Sequence, residues 1–296
     1  MSEQAKPVVV GYDGSTESKN ALDWAAMQAA RDRSPLVVLF DSGVSHGKSA
    51  EGAAAERRSA IEVAADAIAV TGAERARVIS PGIVITTRTT HEGASTALQA
   101  ASVGASMVVL GDRHHRRLAG AMLGSVSLAV SAHAVCPVVL VPAGSDVQPG
   151  PRHPVVVGVD GSAGSDAATR WAADLASRTR ADLVLAAAWE TPRSDHWSRI
   201  YLVDDQWRHE EIERARHGAT WHMSHARGLV NKSHPDLTVR EHVEEGRADS
   251  MLTKLSRKAG VVAVGARGHG DLTTLLLGSV GRNVMHRSHA PVAVIR

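Results

Sequence analysis

The chain has 296 residues, 44% apolar and 22% charged, with a formal net charge of +2 and an aromatic share of only 3%. Such values suit about two soluble globular domains. They speak against nucleic acid or membrane as the main partner, because so small a charge gathers few phosphates and so few aromatics stack few bases. The single cysteine, Cys136, excludes an intrachain disulfide, and its flanks Val135 and Pro137 read as buried packing. The opening "MSEQAKPVVVGYDGS" has no apolar stretch of signal-peptide length, and no run of ~18 apolar residues occurs, so a cytoplasmic protein with no transmembrane helix is expected.

In chain order, "PVVVGY" from Pro7 reads as a strand, followed by a loop at Asp13-Gly14-Ser15. "ESKNALDWAAMQAARDR" sets Leu22, Ala25, Ala26 and Ala29 on one stripe, which predicts an amphipathic helix with Ser15 or Thr16 as its cap. "LVVLF", "IVITTRTT", "MVVLG" and "PVVLVP" read as further strands, and "STALQAASVG" as a helix between the second and third of them. "AGSDVQPGPRH", Ala143 to His153, is rich in Gly, Pro and polar residues, as a linker should be.

The series then repeats. "PVVVGYDGS" returns as "PVVVGVDGS" from Pro154, and "PVVVGV", "LVLAAAW", "LTVREHV", "VVAVG" and "PVAVI" follow as strands, with "RADSMLTKLSRKAG" as a helix. The offset between copies is 147 residues at Asp13/Asp160 and Trp24/Trp171, and 154 at Gly124/Gly278. An insertion of seven residues is therefore expected in the second copy, in the stretch after Ala188. Apolar runs without period-2 alternation suit strands buried on both faces of a parallel sheet. The expected fold is α/β: two tandem doubly wound domains, 1–143 and 154–296 with a linker at 144–153, each an open five-stranded mainly parallel sheet flanked by helices.

Open parallel sheets bind ligands beyond the carboxyl ends of their strands. In the second copy those ends offer Asp160-Gly161-Ser162 after the first strand and "GARGHGDLTTLLLGSV", Gly265 to Val280, after the fourth. Gly265 reads as a place where backbone passes close to a ligand, and Gly268 as a residue free to take positive φ so that N–H groups converge on an anion. Gly278-Ser279-Val280 opens a helix whose first amides and macrodipole favour phosphate, with the Ser279 hydroxyl as a further donor. Asp160 is placed to accept from ribose hydroxyls or to help hold a metal. A nucleotide with at least one phosphate is the expected ligand. No Gly-x-x-x-x-Gly-Lys-Ser/Thr occurs, so ordinary P-loop hydrolysis is not expected, and no Gly-x-Gly-x-x-Gly follows a first strand.

The pattern Gly-x2-Gly-x9-Gly-Ser, with an Asp after the first strand, resembles the ATP-binding class of the universal stress protein family, and the resemblance spans the chain as two tandem domains. "HEGAS" from His91 and "EEGRA" from Glu244 resemble that family's Glu-Gly step into its third helix. It implies the adenine nucleotide alpha hydrolase-like fold and ATP, with Mg2+, on the phosphate loop. In the second domain the implied site is Asp160, Gly161, Gly265, Gly268, Gly278 and Ser279, with Val264 and Arg267 bordering the loop and Val280 continuing the turn. Backbone near Ala188 and Trp189 would face adenine. The first-domain counterparts are Asp13, Gly14, Asp41, Leu110 and Gly111, then Arg113, Gly124, Ser125 and Val126. There His114 replaces the second glycine, where a side chain at positive φ is disfavoured, and the basic "RHHRR" from Arg113 offers charge in partial compensation. The resemblance also implies pairing of the final strands, between domains or in a homodimer.

Other clusters read blandly. His217, His222 and His225 lie at helical spacing without a cysteine or an evident partner carboxylate, so they read as solvated helix histidines and not as a zinc site. His286 and His289 flank a helix C-terminus and read as capping cations. Trp189, Trp197, Trp207 and Trp221 are expected to be core packing, with a lid over adenine as the alternative, and "DDQWRHEEIERARH" reads as a solvated face. The leading function is a nucleotide-responsive regulator of stress or dormancy physiology, acting through an unknown protein partner and hydrolysing ATP slowly at most. The alternatives are a nucleotidyltransferase or adenylating enzyme of the same broad fold, whose catalytic phosphate motifs are missing, and an interaction scaffold with vestigial sites.

Overall fold

The computed structural model describes residues 5–43, 53–112, 124–191, 205–268 and 277–296. Among them lie eight helices and ten strands of an α/β fold. The chain divides into two compact units: Met1–Gln148 with His289–Val294 and Arg296, and Pro149–Ser288 with Ile295. No helix among the described residues is long and apolar enough to cross a membrane.

The first unit runs β1 (Val8–Gly11), α1 (Thr16–Asp32), β2 (Leu36–Asp41), α2 (Ala53–Ile79), β3 (Ile85–Thr90), α3 (Ala94–Ser102), β4 (Met107–Asp112), α4 (Ser125–His133) and β5 (Val138–Pro142). The order β3-β2-β1-β4-β5 is parallel throughout, so the strand order reverses between β1 and β4. Val8, Val9 and Val10 pair with Met107, Val108 and Val109, and all six are buried, as expected of strands covered on both faces. The edge strand β3 is polar and largely exposed instead. Beyond β5 lies β10 (Val292–Ile295), antiparallel, with Val292, Ala293 and Val294 opposite Leu140, Val139 and Val138. The two final strands thus pair with each other within one chain. All six side chains are buried, and Val292–Val294 group with the first unit.

The second unit repeats the plan with β6 (Val155–Gly158), α5 (Ala163–Thr179), β7 (Leu183–Trp189), α6 (Asp205–Ser233), β8 (Val239–Glu245), α7 (Ala248–Leu255), β9 (Val261–Gly265) and α8 (Ser279–Arg287). Its parallel order is β9-β6-β7-β8. Helices α1 and α5 match in detail. Ser15 and Ser162 cap them by accepting from Ser18 N and Ser165 N, and each helix ends on an arginine, Arg33 or Arg180, in the left-handed region. The stripe Leu22, Ala25, Ala26 and Ala29 is fully buried. The offset between copies is 147 at the starts of β2 and β7 and 154 at the starts of β3 and β8. The insertion therefore enters between those strands, a span that includes the stretch after Ala188 where it is expected.

Candidate functional site

In each unit a cavity opens where the strand order reverses. The cavity of the second unit, about 210 Å³, is walled by the ends of β6, β7 and β9 and by the starts of α7 and α8. Asp160, Ala188, Val264, Gly265 and Arg267 line it, as do Gly268, Gly278, Ser279 and Val280. Nine of the ten residues expected there thus share one surface. Gly161 does not line it: it holds the turn after β6 at φ +80°, with the His222 ring packed where a side chain would go. Trp189 stays off the lining as well, and its carbonyl accepts from Gly246 N at 2.8 Å.

Asp160 is the one carboxylate among the described lining residues. Its Oδ1 accepts from Ser162 N at 2.9 Å and from Ser162 Oγ at 2.6 Å. The same Ser162 Oγ accepts from Ser165 N at 3.1 Å, so the helix cap and the carboxylate are set by one hydroxyl. The loop closes at its base, where Gly278 N donates to Ala266 O at 2.9 Å.

The three glycines are placed differently from one another, and Gly268 differs from expectation. A Cβ on Gly265 would lie 2.6 Å from the carbonyl carbon of Gly164, so this glycine lets strand β9 meet the start of α5. Gly268 does not take positive φ. It is small because a Cβ there would lie 2.4 Å from Asp160 Oδ2. Gly278 differs from both. Its backbone sits at φ −66° and ψ 155°, and among the described residues a Cβ on it would meet nothing nearer than 3.7 Å, so none of the described atoms requires glycine there. It is the N-cap of α8 with no side-chain cap, so the first amides of α8, which lack intrahelical acceptors, face the cavity.

In the first unit a cavity of about 250 Å³ is lined by Asp13, Asp41, Leu110, Gly111, Gly124, Ser125 and Val126. Gly14, at φ +78°, holds the turn and does not line it. Arg113 and His114, with the rest of the "RHHRR" loop, lie outside the described residues. Asp13 Oδ1 accepts from Ser15 N at 3.0 Å, while Asp41 accepts from Gly43 N at 3.2 Å and from Gly93 N at 3.1 Å. Asp112 is only 2% exposed, and burial together with the charge of Glu17 pushes its carboxyl up to about 7.

Sequence reasoning missed several wall residues. Leu252 and Met251 floor the second cavity, Leu39 and Leu98 the first, and Glu17 lines the first from the opening turn of α1. The signal available was the glycine ending each first strand. A Cβ on Gly158 would lie 3.1 Å from Leu252 Cδ1, and one on Gly11 would lie 3.4 Å from Leu98 Cδ1.

The remaining clusters resolve locally. Trp221 is 62% exposed and stacks on His225 at 5.7 Å, so it is not core packing. The side chains of Trp197 and Trp207 lie outside the described residues. His225 Nε2 lies 3.1 Å from Asp166 Oδ2, and His217 is exposed beside Glu213. His286 is held below the usual histidine range by burial and by Arg282 and Arg287, which weakens the capping-cation reading at that residue. Cys136 is buried, its thiol pushed up to about 11 by desolvation.

The model of the universal stress protein family matches twice, over residues 4–142 and 151–296. The chain belongs to the universal stress protein family. A universal stress protein of Mycobacterium tuberculosis, Rv2005c, is 33% identical over 304 residues, 98% of this chain and 96% of that one. One of Mycolicibacterium smegmatis is 31% identical over 299 residues, again 98% and 96% of the two chains. Among solved structures, a universal stress protein of Archaeoglobus fulgidus superposes with a TM-score of 0.67 at 20% identity, covering 99% of this chain and 97% of that one. This universal stress protein is therefore of the tandem form, with both repeats inside one chain.

Proposed function

We propose that the cavity of the second unit binds ATP and that the protein is a nucleotide-responsive regulator of stress physiology. Gly278 is the observation that supports this most directly: a glycine that none of the described atoms requires, at a helix start that faces the cavity without a side-chain cap, suits backbone that must approach a phosphate. Arg267 adds a cation to the same wall. Asp160, with Oδ1 already fixed by Ser162, suits hydrogen bonds from ribose hydroxyls or a place beside phosphate-bound Mg2+. Leu252, Met251 and Ala188 supply apolar wall for a base. Because Asp160 is the one carboxylate lining this cavity among the described residues and is engaged by Ser162, we expect hydrolysis to be slow at most. The proposed output is nucleotide-dependent association with a partner or into a homodimer, with β5 and β10 already committed to each other within the chain.

The test is Gly278→Ala in nucleotide-stripped protein. Among the described residues a methyl here meets nothing closer than 3.7 Å, so thermal unfolding should be unchanged. ATP affinity by calorimetry should fall about tenfold or more, ~1.4 kcal/mol. Unchanged affinity, or no ATP binding by the unsubstituted protein, overturns the proposal.

A further inference from the structure

We propose that the two cavities are specialised, so that each chain holds one ATP. The second unit takes the polyphosphate, and the cavity of the first unit, walled by Asp13, Glu17 and Asp41, takes a phosphate-free ligand of nucleoside size. This rests on the reading that the second unit binds ATP.

Two close contacts set the cradle of the second unit apart from the sequence of the first, and the stronger of them is with backbone. The starts of α1 and α5 hold equivalent places: a Cβ on Gly111 would lie 2.4 Å from Glu17 O, and one on Gly265 would lie 2.9 Å from Gly164 O. Glu17 is thus the counterpart of Gly164. A Cβ on Gly164 would lie 2.4 Å from the carbonyl oxygen of Arg267, so the path of the phosphate loop requires glycine there. The first copy has glutamate. The second contact is Gly268, where a Cβ would lie 2.4 Å from Asp160 Oδ2. The first copy keeps the aspartate, as Asp13, but puts His114 in place of the glycine. The first of these contacts is with backbone, which cannot swing aside, and the second is with the end of the Asp160 side chain, which would have to turn from its place.

Charge points the same way. Arg267 has a counterpart in Arg113, so the copies differ in their carboxylates: among its described lining residues the second cavity has Asp160 alone. The described lining of the first has Asp13, Glu17 and Asp41, the last two standing where the second copy has Gly164 and Ala188. Three carboxylates repel a triphosphate tail and accept from hydroxyl and amino groups. Asp41 is already oriented by the amides of Gly43 and Gly93. Leu39, Leu98, Leu110 and Ala94 complete a wall of about 250 Å³ suited to a flat base.

Equilibrium dialysis of the full chain with ATP, then with adenosine in ATP-saturated protein, tests this. We expect one ATP and one further adenosine per chain, adenosine affinity falling about tenfold in Asp41→Ala. Gly164→Glu should abolish the ATP site, and Glu17→Gly with His114→Gly should raise the count to two ATP. Two ATP per unsubstituted chain, or no adenosine binding beside ATP, overturns the specialisation. So does a folded double variant, judged by circular dichroism, that still holds one. No ATP at all overturns the underlying reading instead. Should the double variant not fold, the counts on the unsubstituted chain and on Gly164→Glu still decide.

Discussion

Asp112 is a carboxylic acid in the core of the first unit, at the point where the second unit has Ala266. Burial comes first and the neighbouring charge of Glu17 second in lifting it to about 7, against an ordinary value of 3.8. An unfolded chain thus releases this proton near pH 4 and the folded chain only near pH 7. The group stabilises the fold fully below the lower value, and that contribution is lost as pH rises between the two. Asp112→Asn keeps the shape and removes the charge. It should raise stability to urea at pH 8 more than at pH 5, by on the order of 2 kcal/mol. Equal gains at both pH values would show that Asp112 ionises normally. Glycines teach the complementary lesson at this scale. Their positions were legible in the spacing, but their reasons were not, because Gly265 presses on Gly164 and Gly268 on Asp160 across about a hundred residues of chain. Glu17 was invisible for the same cause: in sequence it is an acid in a first helical turn, which the dipole favours anyway.

At the scale of elements, the strands were legible because valine runs such as Val8–Val10 and Val261–Val262 are buried on both faces, and the caps because Ser15 and Ser162 follow an Asp-Gly turn. The contact between α7 and α8 was not, since it depends on a side chain with no local signal. Asp249, 3% exposed, accepts from Arg247 Nε and Nη2 at 3.0 and 2.8 Å, from Asn283 Nδ2 at 2.8 Å and from Ser250 N at 2.9 Å. The Arg247 hydrogen bond leads in holding its carboxyl below the usual range, so its contribution is present above the unfolded-state value and lost as pH falls through the folded one. Asn283 lies in α8, the helix that opens at Gly278, so this carboxylate steadies the cradle from behind. Asp249→Ala leaves the Asn283 amide without its acceptor. It should cost about 2 kcal/mol at pH 7, and less at pH 3, in chemical denaturation. A cost independent of pH would assign the loss to packing alone.

At the scale of the whole molecule, the tandem repeat was plain in "PVVVGYDGS" and "PVVVGVDGS", and the resemblance to the family implied that the final strands would pair. Which unit would claim β10 was not plain, because "PVAVI" is an apolar run that fits any parallel or antiparallel neighbour. Val292–Val294 run antiparallel to Val138–Leu140 and group with the first unit, although the chain reaches them directly from α8 of the second. The last residues of the chain therefore stabilise its first half. In a chain ending at Ser288, β5 loses the partner that Val292–Val294 supply, and Leu140, Val139 and Val138 lose their cover. Amide exchange across Val138–Pro142 should then accelerate by about tenfold or more, while β3, at the far end of the same order, keeps its native rate. Hydrogen exchange read by mass spectrometry separates the two. Acceleration confined to the second unit would mean that β10 belongs to the repeat that encodes it, and that the pairing with β5 contributes nothing to the first.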